Sequence, residues 1–197
     1  MSSPAIWTGI LLAAGRGRRF DASGIENKLL QTLANGQTVA SQSALNLLAV
    51  MPHTVAVLRP GSDILAGQLQ ALGVQCVFCD DADAGMAHSL QAALRASADS
   101  AGWLIALADM PFVQPDTILK LLHALQNGKD MVAPVHAGRR GNPVGFSSKY
   151  LPQLLALQGD TGARQLLQTP DLHQIEVADA GIHHDIDMPQ DLLAPPL

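Results

Sequence analysis

Three arginines stand within four residues of LLAAGRGRRF, residues 11–20: Arg16, Arg18 and Arg19, with Gly15 and Gly17 set before and among them. Arginine presents a planar fork of donors that suits phosphate. Glycine lets a backbone approach a ligand closely and aim its N–H groups at phosphate oxygens. In a chain of formal net charge -5, such a concentration of positive charge reads either as a solvated surface loop or as a site for a phosphate-bearing ligand. Neither standard glycine motif is completed. No Gly-Lys-Ser/Thr follows, and GRGRRF is not G-x-G-x-x-G.

Two other stretches carry carboxylates at places where chemistry is done. WLIALADMPFV, 103–113, is a near-continuous apolar run that ends in Asp109. A carboxylate at the carboxyl end of a buried strand points toward the ligand crevice of an α/β fold, and magnesium on a nucleotide is held by one or two such groups plus phosphate oxygens. The alternative is a turn cap before Pro111, a place aspartate favours. HHDIDMPQDL, 183–192, offers His183, His184, Asp185 and Asp187. Read as the end of a last strand, it puts the adjacent histidines on opposite faces and the two aspartates on one, with a short helix begun by Pro189 and Asp191 solvated on it. DADAGMAHSLQAAL, 81–94, sets Gly85 before a helix that carries Ser89, whose N-terminal N–H groups suit a polar or anionic group. Met86, Leu90 and Leu94 follow helical spacing toward the core. No serine sits in G-x-S-x-G, and Cys76 and Cys79 have no histidine at a telling distance, so a nucleophilic enzyme is not indicated.

The elements that must position these groups alternate. Several of the short apolar runs at Trp7–Ala13, Thr54–Leu58, Val74–Phe78, Trp103–Ala108 and Met131–Val135 lack polar alternation, as strands buried on both faces do. Helix-length segments at 38–49, 62–72, 86–97 and 115–126 lie between them. The pattern predicts a mostly parallel sheet with helices on both sides. Beyond it, 138–147 reads as a loop and short strand, and 159–167 as a turn, a cap at Asp160 or Thr161, and a helix. The 197 residues are read as one domain, 1–197.

Composition narrows the function. Hydrophobic residues are 48% and charged residues 15%, a globular balance. Aromatics are 4%, too few for the stacking platforms of a nucleic-acid binder, and an acidic chain is not drawn to DNA or anionic membrane. No apolar run approaches the roughly 20 residues of a membrane span. The N-terminus lacks the basic region of a signal peptide. Cys76 and Cys79 form a CxxC without the second pair a zinc site wants, and an offset of three on a strand sends them to opposite faces. The expected home is a reducing cytoplasm.

Taken in order, LAAGRGRRF, Asn27-Lys28-Leu29-Leu30, Gly85-Met86 with Ser89-Leu90, LADMP, GNPVGFS, GDTGAR and DIDMPQDL resemble the MobA-like nucleotidyltransferases, in particular their molybdenum cofactor cytidylyltransferase branch, over about residues 9–192. The resemblance implies a three-layer α/β/α fold with a Rossmann-like sheet of the nucleotide-diphospho-sugar transferase type. It implies transfer of a nucleoside monophosphate from an NTP to the phosphate of a molybdopterin-type cofactor with release of pyrophosphate, assisted by Mg2+ or Mn2+, and a molybdoenzyme apoprotein as a further partner. Carried over by position, the backbone of Leu12, Ala13, Ala14, Gly15, Arg16 and Gly17 holds base and phosphates, with Asp80, Gly85 and Ser89 as further nucleotide contacts. Arg19 and Lys28 neutralise the triphosphate, and Asp109 and Asp187 hold the metal. Ala14, where guanylyltransferases of the family have glycine, and Ser89 favour CTP. The open alternatives are a guanylyltransferase using GTP and a non-catalytic chaperone that delivers a molybdenum cofactor. Two departures are visible: Asp21-Ala22-Ser23 intervenes before Gly24, and the family's Gly-His-Pro is Gly141-Asn142-Pro143.

Overall fold

The computed structural model describes residues 5–17, 19–21 and 26–192, except the side chains at 160 and 161. Arg18, the expected cap at Asp160 or Thr161, and Ala22 and Ser23 of the expected insertion lie outside what is described.

The apolar runs form the strands expected of them, β1 (Trp7–Leu12), β2 (Thr54–Leu58), β3 (Gln75–Phe78), β4 (Gly102–Leu107) and β5 (Met131–His136). Between them lie α1 (Val39–Leu48), α2 (Asp63–Ala71), α3 (Met86–Ala96) and α4 (Pro115–Gln126). Their ends follow local chemistry. The Thr38 hydroxyl accepts from the Ser41 N–H at the start of α1, and Pro115 opens α4 with its ring-fixed φ. Later come β6 (Arg139–Arg140), β7 (Val144–Ser147), the five-residue α5 (Leu151–Leu155) and β8 (His173–Glu176).

The sheet runs β3-β2-β1-β4-β7-β5-β6, with β8 beside β5. The first four strands are mutually parallel. β7 enters antiparallel between β4 and β5. Helices α1, α2 and α4 bury Val39, Leu65 and Leu121 with Leu11 and Leu104 on one face. α3 and α5 bury Leu90 and Leu154 with Ile10, Trp103 and Phe146 on the other. Adjacent strand residues thus feed opposite layers, which is why these runs need no polar alternation. Cys76 packs on the first face and Cys79 in the second, both as free thiols.

Two expectations are corrected. Residues 159–168 form a 3-10 segment broken at Gly162, where φ is +51°, and not one regular helix. Residues 184–187 are not a strand. The last strand among the described residues is β8, and an irregular segment follows a short 3-10 turn at Ala180–His183. β8 is largely exposed, so it lacks the apolar signature of the others, while its parallel pairing with β5 satisfies its backbone. No described helix is long and apolar enough to cross a membrane.

Candidate active site

Strand register places the site. Leu12 stands opposite Val57 on β2 and Leu107 on β4, so three strands finish level. The Ala13 N–H then donates to the Val57 carbonyl at 2.9 Å, and the Ala108 N–H to the Leu12 carbonyl at 3.0 Å. The turn after β1 and the turn bearing Asp109 are therefore neighbours at the carboxyl edge. Here the chain order reverses between β1 and β4, the place where open α/β sheets bind ligands. A cavity of about 600 Å3 opens there, lined by Leu12, Ala13, Ala14, Gly15 and Arg16 from the first turn, by Lys28 and Asp109, and by Ser89. That volume suits a small-molecule ligand.

At one end of the cavity a charge cluster joins segments far apart in sequence. Lys28 Nζ donates to Asp109 Oδ2 at 2.7 Å and to Asp187 Oδ1 at 3.1 Å, and Arg19 donates to Asp187 Oδ2 at 2.6 Å. Lys28 is buried, with 9% of its surface exposed. That burial disfavours the ammonium, but Asp109 and Asp187 outweigh it and hold the pKa above the ordinary lysine value. Asp187 is likewise penalised by burial, yet the hydrogen bonds from Lys28 and Arg19 hold its carboxyl below the usual range. Asp185, beside them, is pushed up by burial and by the neighbouring carboxylates of Asp187 and Asp109. Local geometry fixes each partner. Gly17 adopts φ +61°, a conformation that favours glycine, and a Cβ there would meet the Lys28 stem at 3.4 Å. Asn27 caps the short 3-10 turn that carries Lys28. The Ile186 N–H donates to the Asp109 carbonyl at 2.8 Å, and Asp191 accepts from the N–H groups of Asp187 and Met188 at 2.9 and 2.7 Å. Asp191 thus shapes the turn that presents Asp187, beyond the solvated role expected of it.

The donor set suits a hard divalent cation that completes its shell elsewhere. Asp109 and Asp187 converge on the Lys28 ammonium, which a metal ion held by both would displace, and the described residues hold no group of three or more histidines, cysteines or carboxylates that would cage a metal. Magnesium is bound in that way, by one or two carboxylates with substrate phosphates and water.

The cavity is also lined by residues for which the sequence suggested no ligand role: Arg59, Ala82, Asp83 and Met86, with Leu29 and Leu107. Asp83 receives Arg16 through both Nε and Nη2, and Arg59 through Nη1 at 2.5 Å. Hydrogen bonds from the two arginines hold its carboxyl well below the usual carboxylate range. Arg59 Nε also donates to the Ala14 carbonyl at 2.6 Å. Met86, expected in the core with Leu90 and Leu94, is 43% exposed and faces the cavity, while both leucines are buried. Gly85, at φ +123°, forms the N-cap of α3 beside it. Asp80 is exposed and does not line the cavity. Neither do Gly17 and Asp187, which adjoin Lys28, or Arg19, which is tied to Asp187. His183 and His184 have separate partners, though not through the strand alternation expected of them. His183 Nε2 pairs with the Arg139 carbonyl at 2.9 Å, and His184 lies edge-on to Phe112.

Residues 9–176 match the model of the MobA-like NTP transferase domain; Asp187 lies past the matched span. The chain is 33% identical over 205 residues to the purine catabolism protein PucB of Bacillus subtilis, covering 97% of this chain and 96% of that one. It is 32% identical over 85 residues to the molybdenum cofactor cytidylyltransferase of Escherichia coli, covering 43% of each. Among solved structures, a nucleotidyl transferase from Methanothermobacter thermautotroptrophicus superposes with a TM-score of 0.79 at 25% identity, covering 95% of this chain and 94% of that one.

Proposed function

We propose, from the premise that this chain belongs to the MobA-like NTP transferase family and is a nucleotidyltransferase, that it transfers CMP from CTP to the phosphate of a molybdopterin-type cofactor. The observation that carries the reading is the meeting of Lys28, Arg19, Asp109 and Asp187 at the mouth of a cavity walled by the glycine turn. In the reaction an oxygen of the acceptor phosphate attacks the α-phosphorus in line. A new P–O bond forms, the bond to the β-phosphate breaks, and pyrophosphate leaves with its electron pair. Such a step needs positioning and charge stabilisation more than a protein nucleophile, which agrees with the lack of one in the motifs.

Each residue then has a task. The backbone of residues 12–17 holds base and phosphates, with Ser89 toward the base. Lys28 and Arg19 neutralise the triphosphate and the charge that grows in the transition state. Asp109 and Asp187 hold magnesium or manganese, which supplies Lewis acidity toward the phosphoryl oxygens. Asp80 and Gly85 complete the proposed nucleotide contacts. CTP is favoured over GTP because the buried Ala14 methyl narrows the space beside the base. The likeness to PucB supports a client in purine breakdown, a molybdoenzyme apoprotein being the partner, with the reaction placed in the cytoplasm and the whole chain read as a single transferase domain.

The test is pyrophosphate release from each NTP with magnesium, with and without the molybdopterin-type cofactor. Release that requires both CTP and cofactor supports the reading. A GTP requirement moves the chain to the guanylyltransferase branch. Release under no condition, with tight cofactor binding, makes it a delivery chaperone.

A further inference from the structure

Asp83 has no role in the reaction just described, yet it sits on the wall of the same cavity and holds two of its cations. Its carboxylate takes one edge of the Arg16 guanidinium, through Nε and Nη2. On its other side it takes Nη1 of Arg59, whose Nε is committed to the Ala14 carbonyl. Three segments are thereby tied: the glycine turn after β1, the end of β2, and the 3-10 turn after β3. The two arginine ties differ in kind. Arg59 is largely covered, its side chain 24% exposed, and it grips a main-chain oxygen of the turn. The Arg16–Asp83 pair is open to water, at 46% and 53%, so solvent screens it and another anion exchanges with it easily.

We propose that Asp83 is an affinity-determining residue that competes with nucleotide phosphates for Arg16, while Arg59 acts as a positioning residue that keeps the Ala14 turn in place during the exchange. The inference rests on the reading of this cavity as a nucleotide site. A carboxylate and a phosphate ask the same Nε–Nη2 edge for the same two donors, so Arg16 offers that bidentate edge to the ligand only as Asp83 lets it go. The arrangement lowers nucleotide affinity alike for every base, because the contest is over phosphate. It also keeps the arginine fork pointed across the cavity rim, ready for the exchange.

Calorimetric titration of the full chain with CTP, GTP and ATP tests this, beside Asp83→Asn, Asp83→Ala and Arg59→Lys. Asn keeps the shape of the side chain, and the position is exposed, so both Asp83 variants are expected to fold as the parent does. Asp83→Asn and Asp83→Ala should tighten binding of all three nucleotides by a similar factor, about 3- to 10-fold, with the order of base preference unchanged. Arg59→Lys, which keeps a charge but loses the fork, should weaken binding and raise KM more than it lowers kcat. Unchanged or weaker binding in both Asp83 variants overturns the competition. A parent chain that binds no nucleotide overturns the nucleotide reading itself, and the competition with it.

Discussion

Replacing Lys28 with methionine keeps the aliphatic stem against Gly17 and removes the one cation shared by Asp109 and Asp187. The two carboxylate oxygens lie at 2.7 and 3.1 Å from the same Nζ, so they are at most about 6 Å apart. At that distance two unit charges repel by about 3 kcal/mol where the effective dielectric constant is about 20, and by under about 1 kcal/mol in water. Their side chains are 22% and 29% exposed, which puts the site between those limits. Lys28→Met should therefore lower stability by about 1–3 kcal/mol, read as a shift of the urea midpoint in buffer with a chelator. Three further readouts separate electrostatics from lost packing. Adding Asp187→Asn to Lys28→Met should restore much of the loss. Magnesium should stabilise Lys28→Met more than the parent, since it can take the vacated centre. Pyrophosphate release should fall about 10²- to 10³-fold in the single variant and stay low in the double one. The sign with pH also follows. The Lys28 pKa lies above its ordinary value of 10.5, so its stabilisation is fully present below that value and is lost as pH rises through the higher folded one. The difference between parent and variant should be flat from pH 7 to 9. A Lys28→Met chain as stable as the parent in chelator, with no gain from Asp187→Asn, would refute the reasoning.

Three more outcomes follow from the same geometry. Asp109→Ala should fold, its side chain being partly exposed, and should lose turnover by several kcal/mol of transition-state stabilisation; near-normal pyrophosphate release from a folded variant removes Asp109 from the metal. Ser89→Ala should cut CTP-over-GTP discrimination by about tenfold, as loss of one buried hydrogen bond is worth about 1–3 kcal/mol, and competition at equimolar nucleotide reads it directly. The Asp83 carboxyl, held low by Arg16 and Arg59, keeps its ion pairs as pH falls through the ordinary aspartate value of about 3.9 and gives them up only below it; a carbon NMR titration with a midpoint near that value contradicts the clasp.

Much of the scaffold was legible because its signals are local. Thr54–Leu58 and 115–126 begin and end in the structure where the sequence puts them. In the first, an apolar run stops at Arg59-Pro60; in the second, a proline opens an amphipathic helix. Asp109 was legible for the same reason, as the first charge after a buried run. What escaped was nonlocal. His173–Glu176 is polar and half in water, and only its pairing with β5 makes it a strand. Asp83 reads as one aspartate among several in DDADAG, and Arg59 as a turn residue. Their meaning arises from contacts with the glycine turn, Asp83 with Arg16 67 positions away and Arg59 with Asp83 and the Ala14 carbonyl, which no window on the sequence spans. Met86 fitted the helical spacing of Leu90 and Leu94, but it occupies the first turn of α3, where the core gives way to the cavity.

The segment carrying Asp187 has a consequence for the birth of the protein. Lys28 and Asp187 are separated by 159 positions, and Arg19 and Asp187 by 168. At ribosomal speeds of about 5–20 residues per second, Asp187 is added on the order of ten seconds after Lys28. The four parallel strands that wall the cavity are complete by residue 107, so a growing chain can shape its pocket well before it owns both carboxylates. During that interval Lys28 has Asp109 alone for company and Arg19 has no Asp187 to hold. The charge cluster therefore assembles in a fixed order, with Asp109 joining Lys28 first and Asp187 closing it last.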